Sequence, residues 1–321
     1  MKTSAQLKDI FLSNSRKTLS KTQDGRINPE KLKAFAMGLK VPGGDAYGWN
    51  EYLSAEALKD PVDFHRVFHE MLVITAQNAG YLYRGENGNT EKWAVKNSGA
   101  KALLEYFDDL KAKGLLGDAP DMAQLDASLQ DKPLSGVRQK IMNETLGTAA
   151  SFNVHKIEAQ TMQYSGGYRF DMKTVETLSE MFPTAYGEDP FRKKAVLLCL
   201  MVAGHLRSRG VQVDLQDLIV PADYRIPETL NAAGVIEMSD ELVSRIEADE
   251  LFNEDDPAVK AVRAASVVAV EEICKQSGLA IDQIDLALWM AARDGTLDKL
   301  KAANTDCKVA SKHLACETMR F

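Results

Sequence analysis

The sequence predicts a mainly α-helical fold, and three observations predict it. Apolar residues recur at intervals of three and four along most of the chain. The periodic stretches open on helix-capping residues and close on glycine. Alternating apolar runs of strand length are scarce.

In chain order, the amino terminus "MKTSAQLKDIFLSNSRKTL" is interrupted by polar residues and has no signal-peptide apolar run. "KVPGGDAYGWN" concentrates glycine and polar residues and reads as a loop. "PVDFHRVFHEMLVITAQNAG" and "NSGAKALLEYFDDLKAKG" predict helices that stop at Gly80 and Gly114, with "ENGNTEKW" a polar loop between them. "YSGGYRFD" reads as another loop. In "DPFRKKAVLLCLMVAGHLRSRG", Ala195, Leu198, Cys199, Val202 and Leu206 form the stripe, Asp189-Pro190 the start and Gly210 the stop. "GVQVDL" is the best strand candidate, and it is short.

Further on, "SDELVSRIE" opens on Ser239 and carries Leu242 and Ile246 on one face. "DDPAVKAVRAASVVAVEEICKQSG" starts at Asp256-Pro257 and stops at Gly278. Its stripe is Val259, Val262, Ser266, Ala269, Val270 and Ile273, and its many alanines let neighbouring helices approach closely. No solenoid repeat and no Gly/Ser linker cuts the chain. It reads as a single integrated helical domain, residues 1–321, with the alternative of two lobes, about 1–185 and 186–321, and the site between them.

With 321 residues, 45% of them hydrophobic, the chain can bury a substantial core. With a net charge of −7 and a pI near 5.4, no broad basic face for nucleic acid is visible in the sequence, though two or three cations suffice for one phosphate. The cysteines are Cys199, Cys274, Cys307 and Cys316, with no C-x-x-C pair, which fits a reducing cytoplasm. No stretch approaches the roughly 18 consecutive apolar residues of a membrane span, so a soluble protein is expected.

Few motifs carry chemistry. His65 and His69 stand i, i+4, but Glu70 follows the second histidine, so the metalloprotease pattern is absent and no metal is expected. There is neither a phosphate-binding glycine loop nor a G-x-S-x-G elbow. No pattern calls for a cofactor.

What remains is "IVPADYRIPETLNAAGVI", Ile219 to Ile236, where Asp223, Tyr224 and Arg225 stand between Pro221 and Pro227. Pro227 biases Ile226 away from helix and suits the first turn of a helix through Leu230. The three polar residues then sit at a helix entrance, where backbone N–H groups favour negative charge. The bland alternative is an Asp223–Arg225 ion pair that closes the turn.

"PADYRIPETLNAAGVIEMSDELVSRIE" resembles the signature segment of the queuosine-5′-phosphate N-glycosylase family, the queuosine salvage proteins. "FRKKAVLLCLMV", "DDPAVKAVRAASVVAVEEI", "IDQIDLALWMAAR" and "HLACETMRF" resemble further family segments in the same order. The likeness is good from about Phe191 onward and loose before it. It implies an all-helical fold akin to helix-hairpin-helix DNA glycosylases. It also implies hydrolysis of the N-glycosidic bond that joins the deazaguanine base queuine to a nucleoside monophosphate.

Such cleavage builds positive charge on the ribose, and a fixed carboxylate beside it stabilises that charge or activates the attacking group. Asp223, the one acid within "ADYRIP", takes this role under the resemblance. One lysine of "FRKK" is expected to bind the 5′-phosphate or sugar or to balance the aspartate: Lys193 fits the family's F-x-K spacing better, with Lys194 one residue on as the alternative. Tyr224 and Arg225 contact the nucleotide or brace the turn. Asp285 reaches the base edge and Trp289 walls the pocket or packs the core. Asn78 binds substrate or caps the helix before Gly80.

The chain departs from the family where aromatics are expected, at Ala79 to Tyr83 and at Ser98-Gly99-Ala100. It also lacks a second acid before Arg263. Two alternatives stay open: a glycosylase or transferase acting on a modified base in DNA, of the phage hypermodification type, and a non-catalytic binding relative. The expected partner is a small-molecule nucleotide, and nucleic acid enters only under the first alternative. Oligomeric state is left open.

Overall fold

The computed structural model describes residues 2–41, 53, 57–58, 63–85, 87–93, 99–116, 120–163, 166–292, 295–304 and 308–320. Most of the "KVPGGDAYGWN" reading, half of "YSGG", Ser98 and Cys307 lie outside them. The protein is mainly α. Its helices are α1 (Ser4–Leu19), α2 (Pro29–Gly38), α3 (Phe64–Gln77), α4 (Gly99–Ala112), α5 (Met122–Leu129), α6 (Ser135–Leu146) and α7 (Thr148–Thr161). They continue with α8 (Met172–Met181), α9 (Lys193–Ser208), α10 (Arg225–Ala232), α11 (Asp240–Glu247), α12 (Pro257–Ser277), α13 (Ile281–Ala291) and α14 (Thr296–Ala303).

The chain forms two compact units, neither of them contiguous. The first comprises Met1–Ala46, Asp171–Lys173 and Gln216–Cys316; the second, Tyr47–Phe170, Thr174–Leu215 and Glu317–Phe321.

The first unit is built on α12. Asp256 caps it by accepting the Ala258 N–H at 2.8 Å, Pro257 fills its first position, and Gly278 ends it at φ 69°. Every residue of the expected stripe is buried, and α1, α2, α10 and α13 pack around the helix. Its small side chains admit a close approach: at Gly25, φ 76°, a Cβ would lie 2.9 Å from both the Ala261 carbonyl oxygen and the Ala265 Cβ. That glycine leads into a short antiparallel pair of β1 (Arg26–Ile27) with Ile236–Glu237. Ser239 caps α11 through the Leu242 N–H.

In the second unit α9 is buried on nearly every side, the pattern of a core helix, and it packs on α3, which in turn packs on α6 and α7. Tyr186 is buried whole. Its hydroxyl lies 2.6 Å from Thr75 Oγ1 and donates to the Leu72 carbonyl, and burial pushes its pKa far above the ordinary value.

Four local expectations differ from the structure. "ENGNTEKW" contributes Thr90–Lys92 to an antiparallel hairpin with Leu82–Arg84, and "YSGGYRFD" contributes Tyr168–Phe170 to a parallel pair with Val213–Leu215. Strands of three residues are too short to show alternation. Helix α9 begins at Lys193 instead of Pro190, because Arg192 takes a left-handed conformation, φ 53°. Its guanidinium is held there by the Gly187 and Asp189 carbonyls and Glu176. Ile226 is helical despite preceding Pro227, for the reason given next.

Candidate active site

Tyr224 already has helical backbone angles, φ −80° and ψ −18°, so α10 effectively begins one residue early and Asp223 stands at its cap. Asp223 Oδ1 accepts the N–H groups of Arg225 at 2.8 Å and Ile226 at 3.2 Å. These donors otherwise have no partner in a first turn. The second bond draws Ile226 into the helix, and the N–H missing from Pro227 costs little so near the start. Asp223 is half-buried, and its Oδ2 has no hydrogen-bond partner among the described residues. One oxygen is fixed by the backbone and the other is not hydrogen-bonded among the described residues.

Arg225 pairs with Glu228, 2.8 Å away, and not with Asp223 as the bland alternative had it. Its guanidinium also lies 5.1 Å from the centre of the Tyr224 ring, which stands 5.5 Å from the His313 ring. Burial raises the Tyr224 pKa above the ordinary value. The crevice against that ring, lined by Glu228, Asn231, Val262 and His313, has room for about one water molecule.

Asp285 and Trp289 share one face of α13, the carboxylate buried and the indole half-buried. Helix α13 is tied to α10 by Thr229 Oγ1, which donates to the Leu288 carbonyl at 3.0 Å. Elsewhere in this unit, Asn14, Lys17, Thr18, Lys21 and Lys260 line a groove of about 460 Å³. None of the expected site residues contributes to it.

In the second unit, Asn78, Lys193 and Lys194 do come together, at the carboxyl end of α3. Asn78 is the C-cap, its Oδ1 accepts from the Tyr81 hydroxyl, and its carbonyl accepts from Lys193 Nζ at 3.3 Å. Lys194 Nζ donates to the Ala76 carbonyl at 2.9 Å. Arg138, fully buried, gives hydrogen bonds to the carbonyls of Gln77, Ala79, Gly80 and Pro133. Three cations thus take up the carbonyls of Ala76 through Gly80, at the end of the helix where the dipole is negative. Burial above all, with Lys193 next to it, pulls the Lys194 pKa down to about 7, and burial brings Arg138 to about 10. Asp189 orders the approach to α9: Oδ1 takes the Phe191 N–H and Oδ2 the Lys193 N–H.

Sequence reasoning missed Arg138, Glu228 and Arg263. Glu228 was findable, three residues beyond Arg225 on a helix. Arg138, in a helix with no clear apolar face, carries no signal of burial. His65 and His69 face backbone oxygens, with Nε2 3.3 Å from Ser151 O and 3.0 Å from Thr145 O. Among the described residues no three His, Cys, Asp or Glu side chains are grouped to hold a metal ion.

A helical chain whose capping carboxylate keeps one oxygen open is the class of protein these features define. Residues 190–307 match the sequence model of a family described as "Queuosine salvage protein". A relative from Sphaerobacter thermophilus, named "Queuosine 5′-phosphate N-glycosylase/hydrolase", is 27% identical over 227 residues, covering 66% of this chain and 67% of its own. Both findings support the queuosine salvage family, the one the signature segment resembles. No described helix is long and apolar enough to cross a membrane.

Proposed function

We propose that the chain hydrolyses an N-glycosidic bond, releasing queuine or a related modified base from queuosine 5′-monophosphate. The family match covers the signature segment, and the relative's name specifies this activity. The observation that carries the reading is the divided carboxylate of Asp223. A glycosidic carbon that loses its base develops oxocarbenium-like charge, and a carboxylate helps when it is fixed before that charge appears. Oδ1 is fixed by two amides, so Oδ2 is the oxygen offered to the sugar or to its attacking water.

Lys193 is the cation proposed to meet the 5′-phosphate or sugar, since the Lys194 ammonium is engaged by the Ala76 carbonyl and supports from behind. The Asn78 side-chain amide, Asp285 and Trp289 are proposed to contact the nucleotide and its base. Tyr224 and Arg225 act through the turn. The basic groove beside α1 involves none of these residues and lends no support to a DNA substrate. Kinship with the helix-hairpin-helix glycosylases, and unfolding of the whole chain as a single integrated body, belong to the same proposal. A single calorimetric transition is the result expected for the latter, and two separate transitions would overturn it.

The test is incubation with queuosine 5′-monophosphate and detection of free base by mass spectrometry. Wild type is expected to release the base. Asp223→Asn keeps a side-chain oxygen to cap α10, so it is expected to fold and to release none. Asp223→Ala additionally loses the cap, at a cost of about 1 kcal/mol. Full activity in Asp223→Asn, or no release by folded wild type, overturns the reading.

A further inference from the structure

We propose that Arg263 is a positioning residue for the Asp223 carboxylate and acts through the Ala222–Asp223 peptide; this rests on the role given to Asp223 above. Arg263 lies on α12 in a run of buried small residues and is itself 3% exposed. Burying a guanidinium costs several kcal/mol unless hydrogen bonds compensate it, so its place in an alanine-rich helix requires a partner of consequence. Its Nε donates to the Ala222 carbonyl at 2.7 Å. Ala222 is fully buried and belongs to no helix or strand, so without that donor its carbonyl is a buried acceptor left unpaired.

The peptide that Arg263 holds is the one entering Asp223. Its plane sets the direction in which the Asp223 Cα–Cβ bond leaves the chain. On the far side, the Arg225 and Ile226 amides hold Oδ1. The carboxylate is therefore clamped from both ends, and only with both clamps closed is the direction of Oδ2 determined. Releasing the rear one leaves the charge in place and lets the reactive oxygen swing, a displacement that costs rate more than binding.

Variants that place different groups at the Nε position separate this from packing or charge. Arg263→Met has no donor there. Arg263→Gln places an amide N–H the same number of bonds from the backbone, without the charge. Arg263→Lys keeps the charge but puts a methylene there. The expected result is that Arg263→Met lowers kcat on the order of tenfold or more with KM changed by no more than about threefold. Arg263→Gln recovers most of the loss, and Arg263→Lys recovers less than Gln. Hydrogen exchange at the Arg225 and Ile226 amides quickens in Arg263→Met, and Arg263→Gln restores it, while the remaining α10 amides are unchanged.

If Arg263→Met and Arg263→Gln match wild type in kcat and exchange, or if Lys rescues better than Gln, the proposal fails. Should Arg263→Met not fold, the comparison of Gln with Lys decides. If wild type releases no base, the glycosidase reading falls, while the exchange measurements still judge the clamp.

Discussion

Replacing Lys194 with methionine tests the electrostatics of the second unit. Lys194 is buried beside Lys193, and its pKa falls from 10.5 to about 7 in the fold. The unfolded chain therefore binds more protons than the native one between pH 7 and pH 10. Where that holds, stability rises with pH. The sign is opposite to that of a lysine gaining a carboxylate: the penalty is complete below about pH 7, shrinks as pH rises above that value, and is gone once the unfolded lysine has lost its own proton near pH 10.5. At about 1.4 kcal/mol per pH unit, the full penalty is at most about 5 kcal/mol, of which about 2 to 3 is relieved between pH 6 and pH 9. Methionine fills similar volume with no charge. Urea denaturation of both proteins at pH 6, 7.5 and 9 gives the difference in unfolding free energy, which cancels every other titrating group. Wild type should gain on Lys194→Met by roughly that 2 to 3 kcal/mol across the range. A difference that stays flat, or that grows toward acid in favour of wild type, refutes the buried, weakly basic lysine.

Two further perturbations probe the first unit. Glu228→Gln removes the partner of Arg225 and should cost about 1 kcal/mol in chemical denaturation, with a smaller effect in high salt; no change would mean that the pair does not brace the turn. Gly25→Ala sets a methyl 2.9 Å from the Ala261 carbonyl oxygen at a left-handed position, and should destabilise by about 2 kcal/mol or more. A thermal melt equal to that of wild type would show that α12 yields there at no cost.

Much of the helical frame was legible because its signals are local. Asp256-Pro257 and Gly278 bound α12 as expected, and Ser239 caps α11. The three-residue strands were not legible, since pairing supplies what their sequence does not. Nor was the start of α9, which depends on Arg192 finding the Gly187 carbonyl and Glu176. At the candidate site, chemistry was more legible than partnership. Asp223 stood out as the acid between two prolines, but its two backbone donors and the pairing of Arg225 with Glu228 arise only once α10 is wound. Arg138 escaped notice, and Arg263 was given no role, because a buried arginine and an exposed one read alike until their carbonyl partners are in place.

The cap that Asp223 places on α10 bears on how activity is inferred across distant relatives. A fold keeps a capping residue at this position for its own sake whether or not catalysis survives, so the presence of a cap there is a poor marker of a working enzyme. Asparagine serves equally as a cap and removes the charge. A lineage drifting toward a silent scaffold thus has a single-residue route that leaves the helix intact, and Asn at this position is the more telling sign of a lapsed function.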